Sequence, residues 1–181
     1  MKKIIIRLVL ICMIFIPFVK TNAQALISAG GFAGGGYISG NLPSQGSFTS
    51  SLFVEAKTQP IFGFDSRLSF LFVSDFDKLL PRTSIQYYPF LKGFSLKGIV
   101  YQPVSNIFYI EEGIGPMMLN DRSLVDLNKW NLGLAFSILA GTNFGDPLSI
   151  IRLGAGIEYG LTFTNTDVRY SSFHLQVQIS L

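Results

Sequence analysis

The feature that most constrains this chain is an alternation of apolar and polar side chains with a period of two, recurring in segments separated by polar or Pro/Gly punctuation. The final stretch shows it best: Phe173, Leu175, Val177, Ile179 and Leu181 fall on one side, and Ser172, His174, Gln176, Gln178 and Ser180 on the other. A helix would spread these apolar groups around its whole circumference, so the pattern specifies a strand with one greasy and one polar face.

The same test works elsewhere. Phe62, Phe64, Leu68, Phe70 and Phe72 oppose Gly63, Asp65, Arg67 and Ser69. Trp130, Leu132, Leu134, Phe136 and Ile138 oppose Asn131, Gly133, Ala135, Ser137 and Leu139, and Ile151, Leu153, Ala155, Ile157, Tyr159 and Leu161 oppose Arg152, Gly154, Gly156, Glu158, Gly160 and Thr162. Leu52, Val54 and Ala56 oppose Ser51, Phe53, Glu55 and Lys57. Leu26 to Ile38 reads as one more strand, whose glycines leave its faces open.

The start of the chain follows another pattern. Lys2, Lys3, Arg7 and Lys20 lie around the apolar run Ile4 to Val19, and small residues follow at Thr21-Asn22-Ala23-Gln24-Ala25, the layout of a secretory signal peptide cut after Ala23 or Ala25. Residues 1–23 are therefore expected to be the signal and 24–181 one mature domain. The lone Cys12 lies within the leader, where Val9-Leu10-Ile11 lacks the small residues of a lipoprotein cleavage site, so the mature chain has no thiol for disulfides, metal binding or nucleophilic chemistry. The formal net charge of +3 has the same origin. The leader takes with it Lys2, Lys3, Arg7 and Lys20 of the 14 basic residues and none of the 11 acidic ones, leaving about −1 and removing any argument for nucleic-acid binding.

After the leader no apolar run approaches the ~20 residues of a membrane-spanning helix. A soluble sandwich and a membrane barrel both alternate, so the contents of each face must separate them. A sandwich presents a strongly charged outer face to water. Here only 14% of residues are charged, and those on the strands share a face with Gly, Ser and Ala, while large aliphatic and aromatic groups crowd the other. Small residues beside charges suit the interior of a narrow closed barrel, and bulky apolar ones suit lipid. Glu55, Lys57, Asp65, Arg67, Lys97, Glu111, Arg152 and Glu158 then face the lumen, a balanced set of acids and bases able to pair as a polar filling. Glu112 falls on the lipid side beside Ile110 and Ile114, which implies either a bulge or a place near the membrane interface.

The fold expected is thus all-β, a transmembrane antiparallel barrel of eight strands, with ten as the alternative. A literal pass yields nine segments, and single-chain barrels favour even numbers. Eight results if Leu91-Lys92-Gly93 is an inner turn and Gln102-Pro103-Val104-Ser105-Asn106 only an irregular interruption. Thr58-Gln59-Pro60 and Phe144-Gly145-Asp146-Pro147 supply the other inner turns, and Ser39–Ser47, Ser74–Pro81, Asn120–Asn128 and Asn165–Arg169 the outer loops. A barrel of eight strands is just wide enough to be filled by its own side chains.

Tyr87-Tyr88-Pro89-Phe90 followed by Gly93-Phe94, the glycine-alternating Gly113-Ile114-Gly115 and Gly154-Ala155-Gly156-Ile157-Glu158-Tyr159, and the amphipathic last strand resemble the small outer-membrane β-barrel proteins of Gram-negative bacteria. The resemblance implies an outer-membrane location with both mature termini in the periplasm. It also implies contact with outer-membrane lipid and lipopolysaccharide, and a last strand (Phe173, Leu175, Val177, Ile179, Leu181) read by the barrel-assembly machinery. That strand ends on Leu181 where the family favours an aromatic residue.

Candidates for chemistry are few. His174 is the only histidine, with Ser172 and Ser180 on its face and Glu158 on the preceding strand. These could form a Ser-His-acid set for modifying lipid, as some barrels in the resembled group do, but a histidine satisfied within a polar lumen explains the pattern more simply. Asp75 and Asp77 could hold a divalent cation or sit in a solvated loop. One histidine and no mature cysteine provide no transition-metal set, and Gly30 to Gly36 lacks the Lys-Ser/Thr and helix start of a phosphate loop, so no cofactor is expected. Tyr87, Tyr88, Phe90 and Phe94, beside the expected inner turn, and Trp130, beside an outer loop, read as interfacial girdle residues, with a carbohydrate platform as the sharper alternative. The function expected is non-enzymatic, a structural or surface-interaction barrel whose outer loops meet an unidentified partner. A narrow conduit for small or apolar molecules and a His174 lipid-modifying enzyme are the alternatives.

Overall fold

The computed structural model describes residues 27–40, 43–58, 63–79, 88–144 and 151–180. The expected signal, Gln59-Pro60, Tyr87, the Gly145–Pro147 turn and Leu181 lie outside them. Among the described residues the chain forms eight strands: β1 (Ile27–Ser39), β2 (Gln45–Ala56), β3 (Asp65–Asp75), β4 (Phe90–Pro103), β5 (Phe108–Arg122), β6 (Lys129–Phe144), β7 (Ile151–Thr162) and β8 (Arg169–Ser180). Each pairs antiparallel with its neighbour, and β8 returns to β1 to close the barrel. The closure removes every free sheet edge, as a strand structure in lipid requires.

The pairing also sets the tilt. Ala29 lies opposite Val54, Val54 opposite Leu68 and Leu68 opposite Leu96; further round, Leu134, Leu161 and Arg169 face one another in turn. The last step meets β1 again at Ser39, well along the strand from Ala29. Such a stagger forces strands to lean against the barrel axis.

The barrel has two ends. The termini end carries the start of β1, the end of β8 and the connections after β2, β4 and β6, and the loop end carries the connections after β1, β3, β5 and β7. The turn expected at Leu91-Lys92-Gly93 is not there. Those residues lie inside β4, with Leu91 fully buried between Val73 and Asp121 of the adjacent strands. The β4–β5 reversal is the segment read as an interruption. Val104 and Ser105 donate their N–H groups to the Phe108 carbonyl at 2.9 and 3.1 Å, and Ser105 Oγ accepts from Phe108 N at 3.0 Å. Pro103 closes β4 where a missing N–H costs no ladder bond. The β3–β4 loop is correspondingly longer than Ser74–Pro81: it opens with a 3₁₀ turn, Phe76–Leu79, and is tied at its base by Asp75 N donating to Pro89 O at 2.9 Å.

The alternation sorts the side chains as the faces require. Leu52 (71% exposed), Phe70, Phe173 and Leu175 (67%) stand on the outer surface, whereas Ser51, Glu55, Arg67, Ser69, Ser172 and Gln176 are buried within. On β1 the open question resolves in favour of Ser28, Phe32 and Ile38 pointing in, with Ile27, Ala33 and Tyr37 pointing out. Inward glycines make room for large inward rings on the strand opposite. Tyr109 faces Gly141 and Tyr170 faces Gly160 across their ladders, and a β-carbon on either glycine would collide with the ring, at 2.6 Å from Tyr109 Cζ in the first case.

Candidate functional site: the barrel interior

The interior divides along the axis. Toward the loop end it holds an apolar cluster, in which Ile38, Leu71, Val73, Leu91, Met117, Leu119, Val168 and the Tyr170 ring pack together, with Thr49, Asp121 and Asn131 buried on the paired strands beside them. The sequence reading of a lumen filled with paired polar side chains did not include this apolar cluster. Leu71 and Val73 extend the face of Arg67 and Ser69, and Met117 and Leu119 that of Glu111, so polar faces turn apolar as strands climb. A strand read by its charged half hides this change.

Nearer the termini end the eight charged candidates all face inward, seven of them buried and Lys57 half-buried at the rim. Arg67 is the hub of one group. Its Nε and Nη2 donate to Glu55 Oε2 at 2.8 and 2.5 Å, and Nη2 also reaches Glu111 Oε2 at 2.7 Å. Its guanidinium lies 4.3 Å from the centre of the Phe53 ring. Glu55 is gripped from its other side by Lys57 Nζ at 2.6 Å and Gln178 Nε2 at 2.9 Å, and Lys57 goes on to Asp65 at 3.3 Å. Arg152 stands 3.6 Å from Glu111 Oε1 and stacks 4.4 Å from the Tyr101 ring, whose hydroxyl accepts from Asn143 at 3.0 Å. A second group is separate: Lys97 pairs with Glu158, which also accepts from the Tyr170 hydroxyl at 2.7 Å. The charges hydrogen-bonded around Arg67 and the Lys97–Glu158 pair are thus compensated, whereas Arg152 faces Glu111 without a hydrogen bond from its Nε or Nη1.

Tyr101, Tyr109, Tyr170, Asn143, Gln176 and Gln178 were missed as members of this network. The signal was present, because Gln176 and Gln178 share the face of His174, and Tyr109 shares that of Glu111. What period two does not reveal is which strands meet across a barrel: Arg67 of β3 reaches Glu111 of β5 and Gln176 of β8.

His174 is 2% exposed, stacked on Phe32 with ring centres 4.1 Å apart. Ser180 lies three pleats along the same face of β8, at the termini end. The imidazole thus lies inside the barrel wall rather than on the outer face. Asp75 uses its carboxylate locally, accepting from Asp77 N at 2.9 Å. Among the described residues no group of three His, Cys, Asp or Glu could hold a metal ion.

The aromatic candidates lie elsewhere than expected. With the β4–β5 turn at Val104–Ile107, Tyr88, Phe90 and Phe94 belong to the loop end, not to an inner turn. Phe94 and Trp130 approach to 6.2 Å between ring centres, placing them together. The termini end has its own exposed aromatics, Phe64, Phe108 and Phe144, which were not singled out as a girdle.

Two solved structures have this arrangement. Neisserial surface protein A superposes with a TM-score of 0.57 at 14% identity, over 84% of this chain and 96% of that one. Ail, the attachment invasion locus protein of Yersinia pestis, superposes with a TM-score of 0.51 at 12% identity, over 87% of this chain and 100% of that one. The fold is that of the small eight-stranded outer-membrane barrels. No family model and no curated protein sequence matches the chain. At such low identity the comparison shows the fold alone.

Proposed function

We propose that this protein is a non-enzymatic barrel of the Gram-negative outer membrane, sealed along its axis and acting through its loops. The observation that carries the reading is the interior itself: ion pairs centred on Arg67 and an apolar packing layer around Leu71, Leu91 and Leu119 succeed one another across the lumen. A solute would have to break both. The outer apolar surface supports residence in a bilayer, since soluble monomers seldom expose contiguous apolar patches beyond a few hundred Å². The two proteins of like fold are by name a surface protein and an attachment protein, and Ail has also been solved with the heparin analogue sucrose octasulfate. Those names fit a role for loops that face outward.

In this reading residues 1–23 are the cleaved signal and both termini lie in the periplasm. The barrel-assembly machinery inserts the chain by its last strand, and the Phe94–Trp130 cluster rests at the lipopolysaccharide-side interface. The β1–β2, β3–β4, β5–β6 and β7–β8 loops then face outward, and the partner is whatever surface molecule they contact.

The mature chain has no cysteine, so single thiols report topology cleanly. Asp126→Cys in the β5–β6 loop is expected to react with a membrane-impermeant maleimide on intact cells. Asn106→Cys in the β4–β5 turn is expected to react only after the outer membrane is opened. The reverse pattern, or no labelling of either before lysis, would contradict a surface role.

A further inference from the structure

Glu112 is the one outward-facing residue that the membrane reading leaves unexplained, and the structure removes one of its two explanations. Ser95 pairs with Met117 and Gly98 with Ile114, so one register runs through the β4–β5 ladder and no bulge turns Glu112 inward. Its neighbours on the outer face are Val100 and Ile138 directly opposite, with Ile110 and Ile114 along its own strand. Among the described residues, Lys92, Lys129 and Arg169, the exposed cations on the strands, all lie toward the loop end. The carboxylate also borders an apolar groove of about 400 Å³, floored at Gly98 and walled by Val100, Phe136, Ile138, Ile157 and Tyr159.

A charged group there has to be answered from the membrane. Glu112 is four residues from the β5 start at Phe108, which at strand rise and barrel tilt is about 10 Å along the axis from the rim. That places it toward the edge of a hydrocarbon core ~30 Å thick, where a lipid headgroup can settle inward against the side chain. Lipid meeting this face must bring an acyl chain for the groove and a compact donor cation for the carboxylate, and a primary ammonium provides the charge-assisted hydrogen bond. We propose that Glu112 and this groove form a binding site for a phospholipid with a primary ammonium headgroup, in the leaflet at the termini end.

The inference rests on the barrel spanning a membrane, so insertion is scored first, by the shift in gel mobility between unheated and boiled protein. Inserted protein is then taken from vesicles of equal phosphatidylethanolamine and phosphatidylglycerol and its retained lipids weighed by native mass spectrometry. Wild type is expected to retain phosphatidylethanolamine about fivefold over phosphatidylglycerol, and Glu112→Gln to retain the two equally. Phosphatidylcholine in place of phosphatidylethanolamine, lacking an N–H donor, is expected to lose most of the preference. Equal retention by inserted wild type, or a preference unchanged in Glu112→Gln, would overturn the site, the second pointing to the groove acting without the carboxylate. Protein that never inserts would refute the membrane reading instead.

Discussion

Removing the Arg67 guanidinium leaves Glu55 and Glu111 facing each other inside the barrel with one strong partner fewer each. Breaking a buried pair from one side typically costs about 3–5 kcal/mol, because the remaining charge is stranded. Arg67→Met is therefore expected to lower stability by about that much in urea unfolding from lipid vesicles, and adding Glu55→Gln, whose other cation Lys57 keeps Asp65, to restore part of it. Failure of the added change to rescue would mean that shape, not charge, sets the role of Arg67. Tyr170→Phe removes only a hydroxyl donor to Glu158, whose Lys97 partner stays, and should cost about 1.5–3 kcal/mol in the same measurement. At this scale the sequence was informative about direction and silent about partners. Period two told that Arg67, Glu111 and Gln176 point inward, but they lie far apart in the chain and meet only because the barrel closes.

The β4–β5 region shows what can and cannot be read at the level of an element. Leu91-Lys92-Gly93 has the composition of a turn, yet Leu91 fills the lumen and Gly93 lies against the Met118–Leu119 backbone of β5, where a β-carbon would clash. Glycine was required by crowding within a strand, and crowding looks like turn chemistry when only the sequence is seen. The real reversal is held by Ser105, whose Oγ accepts from Ile107 N and Phe108 N at 3.3 and 3.0 Å. Inserting Gly-Ser between Ser105 and Asn106 should leave the heat-modifiable gel shift intact. A single Ser inserted between Leu91 and Lys92 slips every later β4 side chain to the other face relative to β3, and should abolish that shift. Loss at the first site with tolerance at the second would reinstate the turn that the sequence suggested. The remaining strands were legible because their alternation is long and clean, whereas β1, rich in glycine, shows its faces only through Phe32 and Ile38.

For the molecule as a whole, inverting the usual arrangement of a globular protein makes sense of the composition. Much of the 49% hydrophobic content lies outside, and the few charges are enclosed. The interior is not uniformly polar, however. Its charged network gives way toward the loop end to a cluster containing Leu71, Val73, Leu91 and Leu119, and in the proposed reading the two would block the axis by different means, one by ion pairing and one by close packing. The central claim is that this barrel spans a membrane without conducting through it. Conductance across a planar lipid bilayer tests that claim most directly, using protein first shown to be folded by its heat-modifiable mobility. The account predicts a current indistinguishable from that of the bare bilayer at all voltages tried. Discrete, reproducible conductance steps from the wild-type protein would contradict it.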